Sequence, residues 1–262
     1  MRLKPEHPDD IRPLKIVVLG LRYISNFTDF DPFMYERGVE LKYSLREEDI
    51  NSADLIIIPG SKNTVDDLLF LRQSGIENCV KKAVKKGIRL IGICGGYQML
   101  GHKIFDPHRV ENTLKEVDGM GFLDIVTTLD RTKTTCQVEA EFTDGELKGL
   151  RGYEIHMGFT TGDVVLFKLK RRNADPGTLI PDGSLKGNVW GTYIHGLFDN
   201  DSFRGKLLNS LRQKMELPAV RETINYLRLR EDAIDRWADI LKNSVDICFI
   251  LRLLNMEYCK KN

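Results

Sequence analysis

The sequence has no long apolar run and almost no net charge. No stretch approaches the roughly 18 apolar residues of a spanning helix, and the first 13 residues are charged where a signal peptide needs an apolar core. With 39 Lys and Arg against 38 Asp and Glu, the net charge is +1. That balance gives no electrostatic basis for binding nucleic acid or an anionic membrane. We therefore expect a cytoplasmic protein without either partner.

The sequence also lacks a regular cysteine pattern. Its five cysteines are odd in number, widely separated and never arranged as C-x-x-C. This spacing argues against a disulfide framework and against a zinc site. We expect neither a metal nor an organic cofactor in this chain. The cysteines are Cys79, Cys94, Cys136, Cys248 and Cys259.

Short apolar segments alternate with helical patterns along the first half of the chain. Each apolar segment is typical of a strand buried on both faces. The pattern predicts an α/β fold with a mainly parallel sheet covered by helices on both faces. The predicted strands are 15–20, 54–58, 88–93 and 189–194. One helix is predicted to begin at a cap formed by Asn63 or Thr64, and another is predicted over 76–86.

The remaining segments differ from this alternation. Residues 119–167 contain short β-like runs, which indicate antiparallel structure or an elaborated edge of the sheet. The tail repeats apolar residues at spacings of three and four, which predicts a helical extension with one buried stripe. We divide the chain into a linker or tail (1–13), a main domain (14–210) and a C-terminal helical extension packed on it (211–262). The stripe consists of Ile234, Trp237, Leu241, Val245 and Cys248.

Cys94 stands where a predicted strand meets a glycine pair and a predicted helix. This is the sequence setting of a nucleophile elbow, which projects a side chain above the carboxyl edge of the sheet. The amino end of the helix favours a thiolate there. The alternative is that Cys94 is a small buried hydrophobe, as many free cysteines are.

A thiol nucleophile needs a base, and two of the five histidines stand at predicted strand ends beside glycines. These are His156 in GYEIHMG and His195 in GTYIHGLFD. His195 directly follows a strand, so its side chain can reach the same sheet edge as Cys94. A histidine in this position can also be purely structural, and spacing alone does not show that the two residues meet.

Five strings resemble the C-terminal class I glutamine amidotransferase domain of the cobyric acid synthases. They follow in matching order between about residues 15 and 208, and together they are far more specific than a lone C-G-G. The strings are ISNFTDFDPF (24–33), LIIIPGSKNT (55–64), GICGGYQMLG (92–101), GYEIHMG (152–158) and GTYIHGLFDN (191–200).

The resemblance implies a role for each matching residue. Cys94 is implied as the nucleophile that forms a γ-glutamyl thioester, and His195 as general base and acid. The backbone N–H groups of Gly60 and Gly95 are implied to form the oxyanion hole. By the same resemblance Gln98 holds the glutamine substrate.

His156 is implied to shape the glutamine pocket or the contact with a synthetase partner, without a role in proton transfer. One position departs from the wider class, because the glutamate expected two residues after the catalytic histidine is replaced by Leu197. The cobyric acid synthases share this departure. Glu154, Asp199 or a backbone carbonyl could orient His195 instead.

A second departure is the lack of any G-x-x-x-x-G-K-[ST] loop for binding the phosphates of ATP. Family members carry an N-terminal synthetase domain with such a loop. The resemblance therefore implies a partner, as another part of the same protein or as a separate subunit. That partner would use ATP and Mg²⁺ and bind most of the corrinoid substrate.

The leading hypothesis is the glutaminase half of a cobyric acid synthase, which amidates adenosylcobyrinic acid a,c-diamide in cobalamin biosynthesis. Two related amidotransferases remain alternatives, namely cobyrinic acid a,c-diamide synthase and the subunit that modifies peptidoglycan lipid precursors. A cysteine peptidase or deglycase would share the elbow but not the glutamine-site strings. A non-enzymatic or partner-gated docking domain would keep Cys94 and His195 without aligning them.

Overall fold

The computed structural model of the protein describes residues 12–172, 174–175, 177–220 and 222–254. The chain divides into two compact units, of which the second begins at Asn225. Of the linker or tail predicted for residues 1–13, residues 1–11 lie outside the described part. None of the described helices is both long and apolar enough to cross a lipid bilayer.

The first unit contains a six-stranded, mostly parallel sheet. Its strands are β1 (Leu14–Leu19), β2 (Val39–Ser44), β3 (Leu55–Ile58), β4 (Arg89–Ile93), β11 (Ser184–Lys186) and β12 (Val189–Thr192). Their order across the sheet is β11-β12-β4-β3-β1-β2. Only the β11–β12 pair is antiparallel. The prediction of a mainly parallel sheet is confirmed.

Both faces of this sheet are covered. All four residues of β3 are fully buried, and successive residues of a strand point to opposite faces. A strand that is apolar at every position can be buried in this way, which explains the uninterrupted run LIII. Each such side chain stabilises the fold by about 1.5–3 kcal/mol relative to exposure.

Six helices belong to the first unit among the described residues. The helix predicted after Asn63 or Thr64 is capped by Asn63, whose side chain accepts from the backbone N–H of Asp66 over 3.0 Å. The helix predicted over 76–86 is confirmed to within one residue. The helices are α1 (Asp31–Tyr35), α2 (Glu47–Asn51), α3 (Thr64–Gln73), α4 (Ile76–Lys85), α5 (Gly95–Leu100) and α6 (Asp201–Lys214).

Residues 103–182 form a second sheet instead of an elaborated edge of the first. Its strands are β5 (Lys103–Phe105), β6 (Glu116–Asp118), β7 (Ile125–Phe142), β8 (Leu150–Gly162), β9 (Phe167–Arg171) and β10 (Ile180–Asp182). The order is β10-β9-β7-β5-β6, with β8 also paired to β7. All pairs except β5–β7 are antiparallel, which confirms the antiparallel alternative.

The second unit contains α7 (Tyr226–Ser244) and α8 (Ile247–Leu253). The predicted helical character is confirmed, and no described residue of this unit covers the predicted apolar stripe. Trp237 is 66% exposed and Ile234 61% exposed. Periodicity predicts that apolar residues share one helix face, but it does not determine what covers that face. The packing of residues 211–262 on the main domain stays a prediction.

Candidate active site

Cys94 occupies a sharp turn between β4 and α5. Its backbone φ is +52° and its ψ is −109°, a strained conformation for a residue other than glycine. The turn requires small neighbours, since a Cβ atom on Gly96 would lie 2.0 Å from the carbonyl oxygen of Ile58. The chain therefore forms the nucleophile elbow that the strand and glycine pattern predicts.

His195 reaches the same edge of the sheet through the neighbouring strand. β12 runs parallel to β4, with Thr192 beside Ile93, and the N–H of Cys94 donates to the Thr192 carbonyl over 2.8 Å. Two adjacent parallel strands therefore deliver both residues to one place. The His195 side chain is fully buried and interacts electrostatically with Cys94, whose Sγ lies 3.6 Å from the Ile155 carbonyl oxygen.

Asp29 is the carboxylate that contacts His195. One of its oxygens lies 2.6 Å from Nδ1 of His195, and the other accepts the backbone N–H of Gly196 over 3.1 Å. Asp29 belongs to a 3₁₀ turn (Phe27–Phe30) in the segment after β1. Asp29, which is distant in the sequence, is thus the carboxylate beside the imidazole of His195, where the wider class has a glutamate and this chain has Leu197. The suggested alternatives Glu154 and Asp199 do not take this place.

Asp29 was not predicted to be a site residue. It lies within the string ISNFTDFDPF, so the resemblance contained the signal. In the same string, Asn26 places its side-chain nitrogen 3.2 Å from Nε2 of His195. This segment therefore contacts both nitrogens of the catalytic candidate.

The surroundings of His195 favour its charged form. Burial opposes the charge, but hydrogen bonds and charge interactions with Asp29 and Cys94 outweigh it and raise the pKa of His195 to about 10. Below that pH the ring is an imidazolium beside the sulfur of Cys94. A cation in contact with a cysteine is the usual means of stabilising a reactive thiolate.

Gly60 and Gly95, the predicted oxyanion-hole residues, lie beside this pair. A Cβ atom on Gly60 would lie 3.2 Å from Cε1 of His195, and one on Gly95 would lie 2.9 Å from the backbone nitrogen of Ser61. Because Gly95 is the first residue of α5, its N–H has no acceptor within its own helix. Gly60 thus lies beside His195 and Gly95 directly follows Cys94, and their role with an oxyanion stays a prediction.

Gln98, predicted to bind glutamine, lies one turn after Cys94 and is almost completely buried. Its amide nitrogen donates to the Met157 carbonyl over 3.2 Å and to the Tyr193 hydroxyl over 3.1 Å. Its amide oxygen accepts from the hydroxyl of Thr64 over 3.2 Å. Protein groups therefore already hold this amide in place.

His156, also predicted near the substrate, lies in a wall formed by β8. Its ring stacks on Tyr193 with centroids 3.9 Å apart, its Nδ1 is 3.1 Å from the Gly158 carbonyl, and its Nε2 is 3.4 Å from Glu154. Glu154 is also bound by Arg171 over 2.6 Å. Burial opposes ionisation, yet the two partners lower the pKa of Glu154.

A bridge joins the two sheets at the site. Tyr153 of β8 and His195 exchange backbone hydrogen bonds of 3.1 and 2.8 Å, and their rings stack with centroids 5.2 Å apart. The wall carrying His156 is thereby held against the segment that carries His195.

These elements enclose a pocket of about 500 Å³. Cys94, Gln98 and His156 line it, together with three charged side chains, Lys62, Glu111 and Lys133. Within the described part of the chain, no three His, Cys, Asp or Glu side chains are grouped to hold a metal ion.

A second cavity of about 790 Å³ has a mainly apolar lining that includes Phe142, Trp190 and Phe203. It contains none of the predicted site residues, so we place the chemistry in the smaller pocket.

Comparison with known proteins identifies a family. Residues 15–203 match the CobB/CobQ-like glutamine amidotransferase domain. The cobyric acid synthase of Thermodesulfovibrio yellowstonii is 47% identical over 235 residues, which cover 90% of this chain and 47% of that protein. That of Clostridium botulinum strain Langeland is 42% identical over 251 residues, covering 94% and 50%. The chain thus spans about half the length of these relatives.

Two solved structures share the fold. A crystal structure of a glutamine amidotransferase aligns with a TM-score of 0.55 at 20% identity, covering 76% of this chain and 99% of that one. The structure of PurLQS from Thermotoga maritima aligns with a TM-score of 0.54 at 19% identity, covering 78% and 100%. These likenesses confirm the predicted fold class.

Proposed function

The chain belongs to the CobB/CobQ-like glutamine amidotransferase domain family, and on this premise we propose that it hydrolyses the side-chain amide of glutamine through Cys94. The released ammonia would serve an amidation reaction. The observation that supports this most strongly is the contact series Cys94–His195–Asp29, in which a strained nucleophile faces a buried, charged histidine.

The reaction begins with the Cys94 thiolate attacking the side-chain carbonyl carbon of glutamine. A carbon–sulfur bond forms, and the carbonyl electrons move to oxygen. His195 then gives its Nε2 proton to the amide nitrogen of the substrate. The carbonyl group re-forms, the carbon–nitrogen bond breaks and ammonia leaves, so that a γ-glutamyl thioester remains on Cys94. Neutral His195 then takes a proton from water, whose oxygen attacks the thioester. Glutamate departs, and thiolate and imidazolium are restored.

Charge on the substrate oxygen develops in both steps. The N–H groups of Gly60 and Gly95 are the donors we assign to it, because both glycines lie next to the reacting pair. Loss of one such donor typically costs about 3–4 kcal/mol of transition-state stabilisation. Asp29 keeps its charge throughout and holds the imidazole ring in the orientation that directs Nε2 to the substrate.

The acceptor of the ammonia would be bound by a synthetase half that corresponds to the rest of the relatives' length. By their likeness, the whole enzyme would be a cobyric acid synthase that amidates adenosylcobyrinic acid a,c-diamide with ATP and Mg²⁺. The related amidotransferases remain alternatives for the acceptor. A docking-only domain is disfavoured, because it does not require a strained cysteine turn next to a histidine that a buried carboxylate orients.

The test is glutamate release from L-glutamine by the purified chain, alone and with the cognate synthetase half. Cys94→Ala should abolish release, whereas Cys248→Ala, which changes an exposed free cysteine of the second unit, should not change it. Release only in the presence of the synthetase half would mean that the partner activates the domain. A folded wild-type chain that is inactive in both conditions would refute the proposed hydrolysis.

A further inference from the structure

Glu111 lies in the segment between β5 and β6 and lines the pocket of Cys94. The buried carboxylate of Asp106 fixes this segment by accepting the backbone N–H groups of Val110 over 2.7 Å and Glu111 over 2.9 Å. The side chain of Asn63 also donates to the Glu111 carbonyl over 3.1 Å. The backbone of Glu111 is therefore held in position from two sides.

Polar groups of α3 contact the carboxylate of Glu111, but no cation does so in the part of the chain that the structure describes. One oxygen accepts the backbone N–H of Val65 over 3.1 Å, and the other lies 3.4 Å from the hydroxyl oxygen of Thr64. Among the residues that the structure describes, no lysine, arginine or histidine nitrogen lies within 4.0 Å of it. Burial, reinforced by the charge of Asp106, raises the pKa of Glu111 to about 7 despite these donors.

A short series of contacts connects this carboxylate to the nucleophile. A Cβ atom on Gly95, the residue after Cys94, would lie 3.0 Å from the Thr64 hydroxyl. That hydroxyl is 3.4 Å from Glu111 and 3.2 Å from the amide oxygen of Gln98. The carboxylate and the sulfur thus line one pocket, and the Thr64 hydroxyl lies between Glu111 and the residue that follows Cys94.

We propose that Glu111 binds the α-ammonium group of L-glutamine and makes the site selective for an amino acid over a plain amide. The inference rests on the proposed glutaminase function and adds a specificity-determining residue to it. A substrate cation would supply the charge partner that the carboxylate lacks. Lys62 and Lys133, which line the same pocket, have the charge that suits the substrate α-carboxylate.

The competing explanation is that Glu111 only caps α3 through the N–H of Val65. A capping role affects the stability of the fold and hence all substrates equally. A role in recognition affects only substrates that carry the ammonium group. The two explanations therefore differ in substrate discrimination, which can be measured on one protein preparation.

The experiment compares ammonia release from L-glutamine and from glutaramate, which has the same amide and carboxylate but no amino group, in the presence of the synthetase half. For Glu111→Gln we expect kcat/KM to fall about 10²-fold with L-glutamine and less than about three-fold with glutaramate. Glu111→Asp should recover part of the preference. Glu116→Gln changes an exposed glutamate side chain on β6. It is the matched control and should behave like wild type.

A second measurement does not require turnover. Alkylation of Cys94 by iodoacetamide, followed by mass spectrometry, should be slowed by L-glutamate more than by glutarate in the wild type and equally by both in Glu111→Gln. Selective protection without any turnover would refute the hydrolysis but support the assignment of Glu111. Equal losses with both substrates, or no change in discrimination, would overturn the assignment even if hydrolysis is confirmed.

Discussion

Two histidine–carboxylate pairs lie near Cys94, and they differ in what else the carboxylate binds. Asp29 lies 2.6 Å from His195 and, within the described part of the chain, otherwise accepts only the N–H of Gly196. Glu154 lies 3.4 Å from His156 and is bound more closely by Arg171, over 2.6 Å. The charge of Asp29 thus acts mainly on its histidine, whereas the charge of Glu154 is shared with an arginine.

The origin of each pair in the chain explains the difference. Glu154 and His156 are two residues apart on β8 and lie on the same face of the strand, so they meet wherever that strand forms. Asp29 and His195 are 166 residues apart and meet only because the loops after β1 and β12 converge. The pair that we propose to react, His195 with Asp29, therefore forms only in the folded protein, whereas His156 and Glu154 are brought together by their own strand.

Among the substitutions that test the difference between the two pairs, Asp29→Asn should have the largest effect. The neutral side chain keeps the shape but no longer stabilises the imidazolium, so kcat for glutamate release should fall by roughly 10²–10⁴-fold. Asp118→Asn, which changes an exposed carboxylate, is the control. A kcat for Asp29→Asn within about three-fold of wild type would show that Asp29 does not contribute to catalysis.

A smaller effect on activity is expected from Glu154→Gln. Because His156 does not transfer a proton in the proposed reaction, kcat should fall by less than about ten-fold. The loss of a buried partner of Arg171 should lower the free energy of unfolding by about 1–3 kcal/mol, measured by urea denaturation. A fall in kcat as large as that of Asp29→Asn would make the two pairs functionally equivalent.

The smallest effect concerns stability against pH. The pKa of His195 is raised from 6.5 to about 10 on folding, so its contribution to stability is complete below about pH 6.5 and is lost as the pH rises toward 10. Asp29→Asn removes much of that contribution. The difference in melting temperature between wild type and variant should therefore shrink steadily between those pH values; a difference independent of pH would contradict the raised pKa.

Local sequence predicted those parts of the site that depend on neighbouring residues. The apolar run before Cys94 and the glycines after it predicted the elbow, and the strand before His195 predicted its place at the sheet edge. Asn63 was one of two predicted caps for α3. In each case the physical determinant lies within a few residues of the feature, so it can be read from a short segment.

Contacts between distant segments were not predicted in this way. The choice of Asp29 over Glu154 and Asp199 depends on how two loops meet, and the exposure of Trp237 depends on what packs against α7. Neither property has a local periodicity or spacing. Glu111 is a similar case, since only the convergence of its loop with α3 places its carboxylate in the pocket.

The sequence by itself determined the alternation of strands and helices, the strained turn at Cys94 and the family to which the chain belongs, because backbone propensities and matching strings are properties of contiguous residues. Tertiary structure decided that Asp29 stabilises the charge of His195, that Arg171 binds Glu154 and that, among the described residues, Glu111 has no cation beside it in the pocket of Cys94. Electrostatic interactions depend on distance and burial in space, and these arise only when residues far apart in the chain come together.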